Sequence, residues 1–345
     1  MILKGLSLPE LQDCLNAIGL PKYRSNQIYA WMYRRKVCSW EEMTDLPKEL
    51  RQVFQEQGVS LGCLALVSQV RADDGVTKYL FRLDDGQTIE SVYLPETHRH
   101  TVCLSAQVGC GMGCLFCATG QRGMIRNLSP AEIIDQPLRI SRITGNRISS
   151  LVVMGQGEPL LNYDSLFKAI RIINDPHGIG IGARHITIST CGIVPEIKKL
   201  AEEPFQVNLA VSLHAADNQL RDHLMPVNRR FPLEQLIEAC RTYLSRTNRR
   251  ITFEYTLIDG VNDRSIDLDN LIRLLTGMLC HVNLIPFNPI PNSTLRRSKE
   301  ERIKEFAAGL KQAHIETTIR KERGGELAAA CGQLQGKGNV LNETD

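Results

Sequence analysis

From residue 6 to 58 the chain alternates stretches of helical period with turn signals. Ser7-Leu8-Pro9-Glu10 opens one helix, Tyr23 to Tyr33 carries a second, and Leu46-Pro47 starts a third, so residues 1–60 read as a small helical domain. The period then shortens to two. Thr77 to Leu83 and Thr88 to Leu94, split by Asp84-Asp85-Gly86, predict a β-hairpin inside a linker over 61–100. Further on, short β-rich runs at 102–106, 150–154, 185–190, 207–213, 251–258, 281–286 and 317–320 alternate with longer helical patterns. Seven strands joined by six crossovers predict an α/β fold, a partial (β/α)6 TIM-like barrel over 101–322 with its site at the C-terminal ends of the strands. Residues 323–345 are expected to form a loose, Gly-containing tail.

The composition, 43% hydrophobic and 23% charged over 345 residues, is that of an ordinary globular chain and argues against disorder or a fibrous repeat. No run approaches the roughly 18 apolar residues of a membrane span, and the start lacks a basic-then-apolar leader, so a cytoplasmic protein with no membrane partner is expected. A net charge of +3 is too mild to indicate a nucleic-acid partner by itself. Local basic groups do recur: Arg34-Arg35-Lys36, Arg122 with Arg126, Arg229-Arg230, Arg249-Arg250, Arg296-Arg297 and Lys321 with Arg323. Each fits a solvated surface, but together they favour a polyanionic partner. Aromatic and basic residues interleave from Tyr23 to Arg35, as on an RNA-contacting surface, although aromatics at helical spacing also suit a core.

Eleven cysteines in such a chain do not suggest a disulfide framework, so their clustering decides their role. Directly after the first barrel strand stands a C-x3-C-x2-C arrangement of Cys110, Cys114 and Cys117. Three thiolates can hold three irons of a cubane cluster and leave the fourth iron open to a ligand. A zinc site or reduced core cysteines are the plainer readings. Against zinc, no fourth Cys or His follows at zinc-finger spacing, and Gly109, Gly111 and Gly113 suit a loop wrapped closely around a bulky core. Gly155 to Glu158 follow a strand, where they serve as a plain turn or as a ligand-binding loop with Glu158 accepting from an ammonium. Ser189, Ser212 and His214 fall at strand ends, and Asn288 precedes Pro289; capping and turn initiation compete there with ligand contact. Cys331 lies in the tail, out of place for a core cysteine, as a mobile nucleophilic thiol would. Cys103 sits on the first strand, either as a small buried hydrophobe or facing the barrel interior.

The cysteine loop together with Gly155–Asn162, Ser189-Thr190, Ser212-Leu213-His214, Asn283–Pro289 and Ala330–Leu334 resembles, in order and over essentially the whole chain, the RlmN/Cfr family of radical S-adenosylmethionine (SAM) rRNA adenine methyltransferases. The resemblance implies one 4Fe-4S cluster on Cys110, Cys114 and Cys117, and SAM contacts from Gly157, Glu158, Ser189, Ser212, Leu213, His214 and Asn288. It implies two SAM per turnover. One methylates Cys331 by polar displacement; the second yields a 5′-deoxyadenosyl radical that takes a hydrogen from the new methyl group, and the methylene radical adds to the adenine. Cys103 then releases the adduct through a disulfide with Cys331, and Glu90 accepts the proton at the methylated carbon. The substrates implied are 23S rRNA and tRNA, served by an external one-electron donor such as flavodoxin, and a monomer suffices. Glu158 to Tyr163 look like the branch that methylates C2 of adenosine rather than C8. Gln156 stands where the family commonly has Met, a departure expected to matter little because the loop works through its backbone and Glu158. A zinc-holding RNA-associated module and a radical SAM enzyme on another substrate are the rival functions.

Overall fold

The structure is a computed structural model, and it describes residues 1–321, 323 and 329–335. Three helices open the chain, α1 (Leu8–Asn16), α2 (Lys22–Tyr33) and α3 (Lys48–Glu56). The start of α1 is fixed by a capping box: the Ser7 hydroxyl accepts from the Glu10 amide and the Glu10 carboxylate accepts from the Ser7 amide. Tyr29, Trp31 and Tyr33 of α2 are buried, and the Tyr29 hydroxyl donates to Asp175 at 2.9 Å, so these three are core, whereas Tyr23 at the start of the run is exposed.

Three antiparallel strands follow, β1 (Ala65–Arg71), β2 (Thr77–Arg82) and β3 (Thr88–Pro95). The hairpin between β2 and β3 turns at Gly86, whose φ of 82° lies in the left-handed region that glycine tolerates. β1 has mostly exposed side chains, and so left no apolar alternation in the sequence to announce it. β3 pairs with β4 (His100–Cys103), which makes the hairpin continuous with the barrel sheet.

Beyond β4 lies a small antiparallel pair, β5 (Gln107–Cys110) and β6 (Gly123–Asn127), which brackets the cysteine loop. The remaining elements alternate: α4 (Pro130–Thr144), β7 (Ser150–Val153), α5 (Tyr163–Asn174), β8 (Ile186–Thr190), α6 (Val194–Leu200), β9 (Asn208–Ser212), α7 (Asn218–Leu224), α8 (Leu233–Thr247), β10 (Ile251–Leu257), α9 (Ser265–Leu275), β11 (Cys280–Pro286), α10 (Glu300–Gln312) and β12 (Glu316–Ile319). The sheet order is β1-β2-β3-β4-β7-β8-β9-β10-β11-β12, and every pairing from β4 to β12 is parallel. Seven parallel strands therefore curve without closing, as a partial barrel.

Strand alternation divides labour between the two faces. Ile186, Ile188, Leu209, Val211, Phe253, Tyr255, Val282 and Leu284 belong to one buried apolar core, each contributing on the order of 2 kcal/mol from burial. The alternate positions Ser189, Ser212, Glu254, Thr256 and Ile285 line the interior instead. Stability comes from the first set, which leaves the second free for polar chemistry.

Candidate active site at the mouth of the barrel

A cavity of about 140 Å3 opens at the C-terminal ends of the strands, lined by Cys110, Cys114 and Cys117 together with Gly157, Glu158, Ser189, Ser212, His214, Asn288 and Cys331. A larger space of about 500 Å3 adjoins it, sharing Cys117, Asn288, Arg320 and Cys331 and adding Cys103. Two of the residues singled out from sequence do not line either space. Leu213 is fully buried in the apolar core and is engaged through its backbone, its amide donating to the Glu254 carbonyl at 3.0 Å and its carbonyl accepting from Ala215 and Arg221. Glu90, on β3, is buried; its carboxylate pairs with Lys78 at 3.1 Å and accepts from the Gln335 amide at 2.6 Å.

The cysteine loop is tightly wound: a Cβ on Gly120 would come within 3.0 Å of the Cys114 amide nitrogen. All three cysteines are free thiols. Burial pushes the Cys110 thiol up to about 12 and raises that of Cys117 as well, so charge on these sulfurs is costly without a cation to offset it. A fourth sulfur, which the sequence spacing did not reveal, lies beside them: Cys191 is 4.0 Å from Cys114, sulfur to sulfur. Among the described residues no three His, Cys, Asp or Glu side chains converge on a point that would hold one metal ion. Three thiols lining one cavity supply the donor set that three irons of a cubane cluster need.

Gly157 is obligatory where it stands, since its φ is 101° and a Cβ would lie 2.5 Å from that of Gln107. The next residue, Glu158, is 1% exposed, and its two oxygens accept from the amides of Cys191 at 2.7 Å and Leu160 at 3.1 Å; burial raises its pKa. Gln156 does more than its neighbours' backbone would suggest, because its side-chain oxygen accepts from the Glu90 amide at 3.2 Å and ties β3 to the loop.

His214 takes a left-handed φ of 56°, packs edge-on to Phe116 at 4.5 Å, and accepts the Thr256 amide on Nδ1 at 2.9 Å. With Nδ1 accepting, the neutral ring carries its proton on Nε2. Burial and the nearby Arg221 push its pKa down to about 3. Arg221 is itself fully buried and binds the carbonyls of Cys191, Ser212 and Leu213, bracing the ends of β8 and β9.

The tail segment 329–335 is docked, contrary to the loose tail expected from its glycines. The Ala118 amide donates to the Gly332 carbonyl at 2.7 Å, the Thr119 hydroxyl to the Leu334 carbonyl at 2.6 Å, and the Asn288 side chain to the Cys331 carbonyl at 3.3 Å. Ala329 and Leu334 pack against Cys103 and Val92. Residues 336–345 and most of 322–328 lie outside the described residues. Two groups that sequence reading missed complete the wall: Glu254, whose place on the inward face of β10 is signalled by the alternation with Phe253 and Tyr255, and half-buried Arg320 after β12. The Arg320 guanidinium is held charged by Cys331, with Glu254 and Cys103 adding to the effect. Burial and the neighbouring Cys331 raise the Cys103 thiol to about 12.

In several of the basic groups at least one member is engaged within the fold. Arg126 pairs with Asp85 and Glu132 at 2.7 Å each, Arg249 bonds Asn208, Arg250 pairs with Glu316, and Arg323 bonds the Pro95 carbonyl.

An open parallel barrel with three free cysteines at its mouth is the arrangement described as the radical SAM superfamily, and the model of that family matches residues 104–275. Residues 1–59 match the ribosomal RNA large subunit methyltransferase N-terminal domain. The dual-specificity RNA methyltransferase RlmN of Syntrophobacter fumaroxidans is 49% identical over 333 residues, 96% of this chain and 97% of that one. The probable dual-specificity RNA methyltransferase RlmN of Thermoanaerobacter sp. is 46% identical over 97% of this chain and 98% of its own length. The crystal structure of a radical SAM methyltransferase from Sphaerobacter thermophilus, 48% identical, superposes with a TM-score of 0.95 over 98% of this chain and 100% of that chain. The chain therefore belongs to the RlmN family of radical SAM methyltransferases, and membership brings with it SAM and a 4Fe-4S cluster.

Proposed function

We propose that this enzyme methylates C2 of adenosine in 23S rRNA and in tRNA, with Cys331 as the methyl carrier and Cys103 as the thiol that releases the product. The observation that carries the reading is the docking of Cys331 where the two spaces adjoin, the smaller lined by the three cluster cysteines and the larger by Cys103. A cysteine there has no packing purpose, whereas a methyl carrier must reach both a SAM at the cluster and a base entering the larger space.

Cys110, Cys114 and Cys117 would hold the cluster, which supplies the single electron that cleaves SAM. Gly157 lets the backbone approach the bound SAM, and Ser189, Ser212, His214 and Asn288 present short polar groups to it. Leu213 would contribute through its backbone alone. The Glu158 carboxylate is already taken up by two amides, so its part is to shape the loop and present residual negative charge. Cys103, protonated at neutral pH, must lose its proton before it can attack the sulfur of Cys331; the bond from that sulfur to the transferred carbon breaks, its electron pair leaves with the base adduct and is protonated there, and the two sulfurs remain as a disulfide. Arg320, next to both thiols, favours that charged state. Glu90 receives the proton from the adduct once the Gln335 amide withdraws from it. Two SAM are consumed per turnover, an external flavodoxin-type donor provides the electron, and the enzyme works as a cytoplasmic monomer.

The test is anaerobic reconstitution with iron and sulfide, incubation with SAM, a reductant and a 23S rRNA fragment or tRNA, and nucleoside mass spectrometry. Formation of 2-methyladenosine with 5′-deoxyadenosine is expected, and Cys331→Ala should lose the 2-methyladenosine. 8-Methyladenosine would overturn the C2 assignment, and deoxyadenosine without RNA methylation would overturn the substrate.

A further inference from the structure

Away from the barrel mouth, two cysteines meet at the seam between the N-terminal helices and α4. Cys38 follows α2 and Cys63 precedes β1; both are half-buried free thiols. The Cys63 sulfur rests against the Val37 carbonyl at 3.7 Å. Each sulfur also meets a cation. Arg139 of α4 donates to Cys38 at 2.9 Å, and buried Lys4 donates to Cys63 at 3.0 Å. Lys4 is already satisfied by Asp135, whose other oxygen accepts from the Leu64 amide, whereas the Nε of Arg139 finds no partner. Glu42, which accepts the Cys38 amide, is occupied by Arg142. The uncommitted positive charge therefore sits on the Cys38 side of the pair.

Neither cysteine takes part in the chemistry at the barrel mouth, and nothing in the packing calls for two cations on a pair of thiols. Instead the arrangement has the parts of a dithiol redox couple: one sulfur stabilised as thiolate, a second holding the proton beside it, and access from solvent. We propose that Cys38 and Cys63 form a redox-active dithiol site whose substrate is a low-molecular-weight disulfide such as oxidised glutathione.

Cys38 thiolate attacks one sulfur of the small disulfide, forming a mixed disulfide and expelling one thiolate. Cys63 then attacks the Cys38 sulfur and expels the second thiolate, its proton passing to the departing sulfur or to water. The two protein thiols lose two electrons and one molecule of disulfide is reduced to two thiols. The interaction with Cys63, helped by Lys4 and Arg139, outweighs burial and the opposing charge of Asp135 and lowers the Cys38 thiol, while the Cys63 thiol is pushed up. A lowered thiol is more fully ionised than free cysteine below neutral pH, and although lower intrinsic nucleophilicity takes back part of the gain, its advantage is larger at pH 6 than at pH 7.

The experiment uses the full-length, cluster-loaded enzyme under argon, treated with oxidised glutathione at pH 6 and pH 7, quenched in acid, digested without reductant and read by mass spectrometry. Free cysteine is run alongside, and the cluster's visible absorbance is recorded to show that it survives. The expected result is a peptide cross-link between Cys38 and Cys63, with Cys63→Ser arresting at a glutathione adduct on Cys38. The rate advantage over free cysteine should be several-fold at pH 6 and smaller at pH 7. Adducts appearing first on other cysteines, a ratio near one at pH 6, or a wild-type adduct on Cys38 that never passes to Cys63 would each overturn the proposal; all three are read on the unmutated protein.

Discussion

At the scale of single residues, the site is built from side chains whose hydrogen bonds are already committed. His214 shows what that costs. The native ring stays neutral down to about pH 3, whereas in the unfolded chain it protonates near 6.5. Between those values the unfolded state binds the extra proton, so stability is lost as pH falls, at about 1.4 kcal/mol per unit for this one group. Urea unfolding of the apo enzyme at pH 7.5 and pH 5.0 should therefore give a gap about 2 kcal/mol smaller in His214→Asn than in the wild type. An unchanged gap would mean that the ring is solvated or paired in a way the Thr256 contact does not suggest. The residue scale is also where sequence reading was both strongest and weakest. Cys110, Cys114 and Cys117 were legible because their spacing is local. Arg320 and Cys191 were not, because strands remote in sequence bring them to the cavity, and Glu254 was overlooked although its alternation with Phe253 and Tyr255 marks it as inward-facing.

At the scale of elements, the seven parallel strands were legible because each is a short apolar run between helical patterns. β5 and β6 were missed, being short and rich in glycine around the cysteine loop. What keeps the strand ends in position is equally invisible in sequence: Arg221, from the short helix α7, reaches back to three carbonyls at the ends of β8 and β9. Replacing it with Met keeps the bulk but leaves those carbonyls and the Asn228 side chain without their donor. A loss of about 3–5 kcal/mol in unfolding free energy is expected, with a raised KM for SAM, since Ser212 and His214 sit in the same turn. Arg221→Lys, which restores one donor, should recover part of both. If the Met variant kept wild-type KM and stability, the brace would be incidental packing.

At the scale of the whole molecule, the barrel is left open between β12 and β4, and the docked tail lies across that mouth. The tail therefore has two separable duties. Its thiol is the carrier in the proposed chemistry, while its backbone accepts hydrogen bonds from Ala118 and Thr119, the residues next to Cys117. Cys331→Ala removes the first duty and spares the second, so that variant should bind iron in the wild-type ratio and still cleave SAM to 5′-deoxyadenosine. Ending the chain before residue 329 removes both, leaving two donors beside the cluster loop to water and uncovering Cys103 and Val92. The core of the barrel does not depend on the tail, so the truncated enzyme should fold, with its helical signal and main unfolding transition retained. Its cluster, however, should bleach several-fold faster in air than that of Cys331→Ala, followed by loss of visible absorbance. Equal bleaching rates would show that the tail shelters nothing and that its docking serves only to deliver the thiol.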